Sequence, residues 1–182
     1  MVAPVGAHGK DGKVPRFVAL LGGINVGGHR VSMDTLRTDV ASLGYTEVAT
    51  FIASGNVLFT APTTGDHESR IQAHLAEHLG WPVPTYVRTA AEILAATDCL
   101  PFGTTPEGYT HMVAFCRSAP GQGVEQQSTD KNRLAVHGRE AHWLIHGTVS
   151  TSGVTLAKLA KMVGPNTTRN ITSLERLAAL LR

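Results

Sequence analysis

Two glycine-bearing blocks leave this chain few folds to choose from. The first reads Leu20-Leu21-Gly22-Gly23-Ile24-Asn25-Val26-Gly27-Gly28, an apolar strand running into a glycine-rich loop. The second reads Phe51-Ile52-Ala53-Ser54-Gly55-Asn56-Val57-Leu58-Phe59, a tight hairpin between apolar arms. Glycines gather where the backbone must bend sharply or approach something closely. A strand–loop–helix start followed by a hairpin is the opening of a split β-α-β arrangement.

The punctuation that follows extends this reading. Residues 17–21 predict a buried strand. Ser32 is placed to cap a helix carrying Met33, Leu36, Val40 and Leu43 on one face, and Gly44 stops it. Residues 47–53 and 57–61 read as strands joined at Gly55-Asn56, with Gly at the first position of a type II′ turn. Asp66 can cap a second helix with Ile71, Leu75 and Leu79 on its face, ended by Gly80, and residues 83–88 give a fourth strand. Thr89 with Glu92 signals a capping box for a short helix to about Thr97. Past a loop over residues 101–108 the order restarts. A strand over 109–116, a weak helix over 123–130, a hairpin of 133–137 with 140–146, a helix ended by Gly164 and a short strand over 167–170 follow in turn. Thr172 and Glu175 form the expected capping box of a last helix that buries Leu174, Leu177, Ala178 and Leu181.

The expected fold class is therefore α+β, with two tandem ferredoxin-like (βαββαβ) halves packed into one globule plus a C-terminal helix. Residues 1–15 form a loose tail, 16–88 the first half, 89–108 a connector and 109–182 the second half. A two-residue turn at Gly138-Arg139 sets Val136 opposite Ala141 and Leu134 opposite Trp143. The other face then carries His137, Glu140, His142 and Arg133, with His146 on the same parity, and is expected to be solvated. The first hairpin is apolar on both faces: Ile52, Val57 and Phe59 on one, Phe51 and Leu58 on the other. Such a pair is covered on both sides, one by its own helices and the other by the second half or another chain.

Bulk properties narrow the function classes. The chain has 182 residues, 42% of them hydrophobic, and a net charge of +2, far from the dense basic footprint of a nucleic-acid binder. Residues 57–59 lack the basic start of an RRM-type stacking strand. No segment is long and apolar enough to span a membrane, and the N-terminal stretch lacks a signal peptide's apolar core. Cys99 and Cys116 form no CxxC pair and read as reduced thiols. A cytoplasmic protein without membrane contact is expected.

Few residues point to chemistry. The loop over residues 22–30 precedes a helix N-terminus, where free N–H groups favour anions, and His29 and Arg30 add positive charge. Gly23 and Gly28 have Walker A spacing, but His29-Arg30 stands where Lys-Ser/Thr is required. Ser54, Gly55 and Asn56 present a hydroxyl and an amide, although a turn alone explains all three residue types. Thr168, Arg169 and Asn170 form a third polar cluster, in which Arg169 either receives an anion or serves the last helix. His74 and His78 have i, i+4 spacing with His67 a heptad upstream, yet no third ligand is visible, and a solvent-facing helix boundary is expected in place of a metal site. The only nucleophile candidates are Ser54 and Cys99, and neither lies in a recognised motif.

Taken together, the three segments resemble the signatures of the bacterial domain-of-unknown-function family 1697. Residues 19–28 match its opening motif, residues 51–59 its second, and Thr167-Thr168-Arg169-Asn170 its third, over roughly residues 16–182. The resemblance implies a two-part α+β fold of ferredoxin-like halves and no established activity. This chain has Gly22 where the family usually has Arg, and Ile171 where it usually has Trp.

The expected site is a meeting of the three segments. Gly23, Gly27 and Gly28 offer N–H groups, Asn25 and Asn56 directional bonds, and Arg30 and Arg169 charge to a small anionic, phosphate-bearing ligand. No cofactor is specified. The alternatives are an interaction or homodimerisation module built on the first hairpin, and an enzyme whose reaction the sequence does not name.

Overall fold

The computed structural model of the chain describes residues 14–182. The expected tail falls outside the described residues except for its last two positions. The described residues form five α-helices and two four-stranded antiparallel sheets. The first sheet comprises β1 (Arg16–Leu21), β2 (Thr46–Phe51), β3 (Asn56–Thr60) and β4 (Thr85–Thr89), in the order β2-β3-β1-β4. The second comprises β5 (Tyr109–Cys116), β6 (Asn132–His137), β7 (Glu140–His146) and β8 (Asn166–Asn170), in the order β6-β7-β5-β8. Helix α1 (Met33–Ser42) joins β1 to β2, and α2 (His67–Leu79) joins β3 to β4. Helix α3 (Ala90–Asp98) leads into the second sheet, α4 (Leu156–Val163) precedes β8, and α5 (Ile171–Ala179) follows it.

Side-chain alternation along β1 divides the core. Phe17, Ala19 and Leu21 face α1 and α2, in a cluster with Leu36, Val40, Ile71 and Leu75. Val18 and Leu20 face the other way, into a central cluster with Leu58, Ile93, Val113, Phe115, Leu174 and Leu177. A third cluster, with Trp143, Ile145 and Leu159, lies between the second sheet and α4. The central cluster is made by both sheets together with α3 and α5, so the connector region belongs to the core. It also covers Leu58 and Phe51, the second apolar face of the first hairpin, with this chain's own residues.

Local signals set most boundaries. Ser32 and Asp66 cap α1 and α2 through the Thr35 and Ser69 amides, and Thr89 with Glu92 forms a complete capping box. The β6–β7 register pairs Val136 with Ala141 and Leu134 with Trp143, as the two-residue turn requires.

Four expectations are corrected. The first hairpin does not turn at Gly55-Asn56: Phe51 pairs with Asn56, and residues 52–55 make the turn, with Ile52 and Gly55 at positive φ. Asn56 thereby becomes the first residue of β3 and is buried. In place of a helix over 123–130 there is one 3-10 turn, Glu125–Gln127, because the segment has no apolar face to bury and Gly121 and Gly123 weaken it. The last helix is capped by Asn170, which accepts from the Thr172 amide, two residues before the Thr172 expected as its cap. The polar face of the second hairpin is not solvated throughout: Glu140 is buried against Arg88 of the first half and His142 is buried beside His111, while His137 and His146 remain exposed.

Candidate functional site

Arg169 brings the three segments together. It projects from β8, 93% shielded from solvent, and reaches the first half. Its Nε donates to Asn56 Oδ1 at 2.7 Å. One terminal nitrogen donates to Leu21 O at 2.9 Å and Gly55 O at 3.2 Å, and the other to Thr167 Oγ1 and Thr168 O, both at 2.9 Å. A guanidinium has five N–H donors, and all five are engaged. Burial draws its pKa down to about 10, still well above neutrality. Arg169 thus carries its charge into the interior, where carbonyl and amide oxygens take it up. The expected role of supplying charge to a bound anion is corrected: no donor is left for one.

The turn serves the same clasp. Asn56 Nδ2 donates to Phe51 O and to Ser54 Oγ, closing residues 51–56, while its oxygen receives Arg169. Gly55 has φ +76°, and a Cβ there would lie 3.1 Å from Leu21 Cβ and 3.2 Å from Ile24 Cβ. Only glycine suits both the angle and the space. Thr168 contributes its carbonyl and Asn170 caps α5.

The loop over residues 22–31 hangs on this clasp and opens outward. Gly22 N donates to Pro84 O, and Ile24 is buried. Asn25, at φ +56°, donates from Nδ2 to Ala53 O and accepts the Val31 amide on Oδ1. This brace spans the loop, leaving Gly23, Gly27, Gly28, His29 and Arg30 exposed. The amides of Gly23, Gly27 and Gly28 donate to no other described residue. The His29 ring stacks on Trp81 at 4.6 Å, and the buried Trp81 Nε1 has no acceptor among the described residues. Trp81 escaped the sequence reading because it lies between Gly80 and Pro82, distant from every motif. The structure places Gly23, Asn25, Gly27, Gly28 and Arg30 on one exposed loop, with Ser54 beside it, and Gly55, Asn56, Thr168, Arg169 and Asn170 in or around the clasp beneath.

A cavity of about 320 Å³ opens at the seam of the two halves, lined by Asp66, His67, Glu68, Thr89, Glu92 and Arg139. Its titratable groups are committed elsewhere. His67 Nε2 lies 2.8 Å from Pro62 O, which can only accept, so Nδ1 accepts from the Tyr45 hydroxyl at 3.0 Å. This also corrects the expectation that His67 faces water. Glu68 pairs with Arg117 and Asp66 caps α2. Burial alone raises the Glu92 carboxyl, but the Thr89 amide and hydroxyl together with Arg139 hold it below the usual range. None stands ready as a free acid or base. Cys116 is buried, and burial pushes its thiol up to about 11; Cys99 is part-exposed and, like Cys116, free.

A second buried arginine mirrors the first. Arg88, on β4, donates to Glu140 Oε1 and to Cys116 O, both at 2.6 Å, across the seam. Its sequence signal was an arginine next to the end of β4, between Val87 and Thr89.

The fold these elements define is a mixed α/β one, and a solved structure has it. The conserved bacterial protein SP0830 from Streptococcus pneumoniae superposes with a TM-score of 0.71 over 93% of this chain and 99% of its own, at 21% sequence identity. The family model described as "Protein of unknown function (DUF1697)" matches residues 14–142, and the chain belongs to that family. The match includes the first two motifs and ends before the third. No curated protein matches the chain. At 21% identity the structural likeness carries the fold alone.

Proposed function

We propose that this protein binds a small anion, phosphate-bearing in class, on the exposed face of the loop over residues 22–31. One observation carries the reading. Three glycine amides without a partner among the described residues lie on a braced loop with Arg30 and with His29, whose ring stacks on Trp81. Backbone N–H groups in successive turn conformations make concavities that suit anions, and the following helix start adds to the field. Asn25 is the brace, Arg30 the charge, and Ser54 a neighbouring hydroxyl. Asn56 and Arg169 are the foundation and do not touch the ligand. On this reading the protein is a binder, since the loop's amides, Arg30 and Ser54 offer hydrogen bonds and charge to an anion.

The fold reading supports it. We take the two sheets as two ferredoxin-like halves, because both follow the same strand order, with the first helix of the second half reduced to a 3-10 turn. Among the described residues no helix is long and apolar enough to cross a membrane, and two free thiols fit a reducing, cytoplasmic setting. A homodimer through the first hairpin has less support, since α5 and β5 of the same chain cover that face.

Fluorescence titration with inorganic phosphate, and then with nucleotides and phosphosugars, tests the reading, because Trp81 lies at the loop. Saturable quenching that weakens at least about tenfold in Arg30→Ala is expected. Gly22→Arg should tighten it, since a Cβ there meets only Pro84 at ordinary contact distances of 3.4–3.5 Å. No saturable change with any of these anions would overturn the proposal.

A further inference from the structure

Helices α1 and α2 pack side by side on the outer face of the first sheet, and their exposed flank carries three groups that the loop does not use. His74 and His78 are one turn apart on α2, and Asp39 faces them from α1. One potential ligand atom from each lies within 4.8 Å of the others. Asp39 Oδ1 is already 3.4 Å from His78 Nδ1. Two atoms bound tetrahedrally to one zinc ion, at bond lengths near 2.0–2.1 Å, stand roughly 3.3 Å apart, so this pair has the required separation. The imidazole rings of His74 and His78 are 3.9 Å apart, centre to centre. His74 is oriented further by Ser42, whose Oγ lies 3.1 Å from its Nε2.

The carboxylate supplies an independent sign. Asp39 Oδ2 is buried and has no hydrogen-bond partner among the described residues, and the side chain is 16% exposed. An anionic oxygen withdrawn from water costs free energy unless a cation or donor meets it. A metal ion drawing on this carboxylate and both rings would meet that cost. His78 is exposed, which leaves a coordination position open to solvent.

We infer that Asp39, His74 and His78 form a binding site for one divalent transition-metal ion of the zinc class, tying α1 to α2. Two imidazoles and one carboxylate suit zinc, cobalt, nickel or copper, and disfavour magnesium and calcium, which take oxygen ligands. The third ligand was invisible in the sequence because it comes from another helix, 35 positions before His74. The site is separate from the glycine loop, so it stands or falls apart from the proposed anion binding.

The test uses the untagged full-length protein, stripped with chelator and titrated with Co²⁺, followed by competition with Zn²⁺ and with Mg²⁺. Nine histidines make bare retention on immobilised nickel uninformative. One equivalent of Co²⁺ with ligand-field bands in the visible, displaced by Zn²⁺ and not by Mg²⁺, is expected. Asp39→Asn and His74→Gln should each weaken binding at least about tenfold, equivalent to about 1.4 kcal/mol. A double variant of the exposed second-hairpin histidines, His137→Gln with His146→Gln, should bind as the parent does. Saturating Zn²⁺ should raise the melting temperature of the parent and not of Asp39→Asn. Far-ultraviolet circular dichroism of the metal-free variants separates loss of binding from loss of fold, and His78→Gln, at an exposed position, provides a second probe. Binding that survives Asp39→Asn, that disappears with the second-hairpin variant, or that never saturates would overturn the inference.

Discussion

Single residues carry more than their share of this fold. Arg169 engages five acceptors from both halves, a geometry that only a planar fork supplies. Arg169→Lys keeps the charge yet offers three donors, so the five acceptors cannot all be met. Denaturant unfolding should show a loss of roughly 3 kcal/mol. Gly55→Ala meets both a left-handed φ and Cβ contacts of 3.1–3.2 Å, and should cost roughly 1–3 kcal/mol in the same assay. At the thiols, the buried Cys116 should resist an aromatic disulfide reagent that labels Cys99. One fast thiol in the folded protein and two after denaturation is the expected count; two fast thiols would contradict the burial. The sequence made Gly55 and Arg169 visible as motif members, but not their partnership. A motif reports which residues stand together along the chain. The bond from β8 to β3 spans 113 positions, and no local pattern encodes that.

At the scale of elements, helix starts and strand registers were legible because they are short-range. Ser32, Asp66 and the Thr89–Glu92 box act within one turn, and the second hairpin's register follows from turn length and alternation. The turn of the first hairpin was misplaced by a competing signal. Gly55-Asn56 satisfies turn chemistry, yet Asn56 is drawn into β3 by its bond to Arg169. The polar face of the second hairpin was misread for a related reason. Alternation gives parity, and it does not say what covers a polar face. There His111 Nε2 and His142 Nδ1 meet at 3.0 Å, while His111 Nδ1 and His142 Nε2 are buried without partners among the described residues. Burial draws both rings below the usual histidine range, His142 to about 4. The folded state therefore refuses a proton that the unfolded state accepts between about pH 6.5 and 4. His142 should therefore contribute a loss of roughly 3 kcal/mol of stability as pH drops through that window. Urea midpoints across the window check this, and His142→Gln should flatten the dependence.

For the whole molecule, the two buried arginines run in opposite directions across one seam. Arg88 reaches from the first sheet to Glu140 and Cys116, and Arg169 from the second sheet to Asn56, Leu21 and Gly55. Each half is therefore completed by the other. Glu140→Leu leaves Arg88 as an uncompensated buried charge and should cost roughly 3–5 kcal/mol, whereas Arg88→Met combined with Glu140→Leu should recover most of that loss. A double variant as unstable as the single one would show that the pair is a net stabiliser. The two-sheet architecture was readable from the recurring element order. The candidate binding surface was only partly so, because Trp81 and His29 become neighbours through tertiary packing of segments that share no motif.

The inward face of the first sheet bears on how the chain is made. Val18, Leu20 and Leu58 are complete as a surface once β4 has formed, yet Val113, Phe115, Leu174 and Leu177 reach them only after residues up to α5 have been synthesised. At roughly 5–20 residues per second, that leaves an apolar sheet face uncovered for seconds to tens of seconds on the ribosome. A nascent chain halted between β4 and β8 should accordingly be held by chaperones that recognise exposed apolar strands, and release of the full chain should end that association.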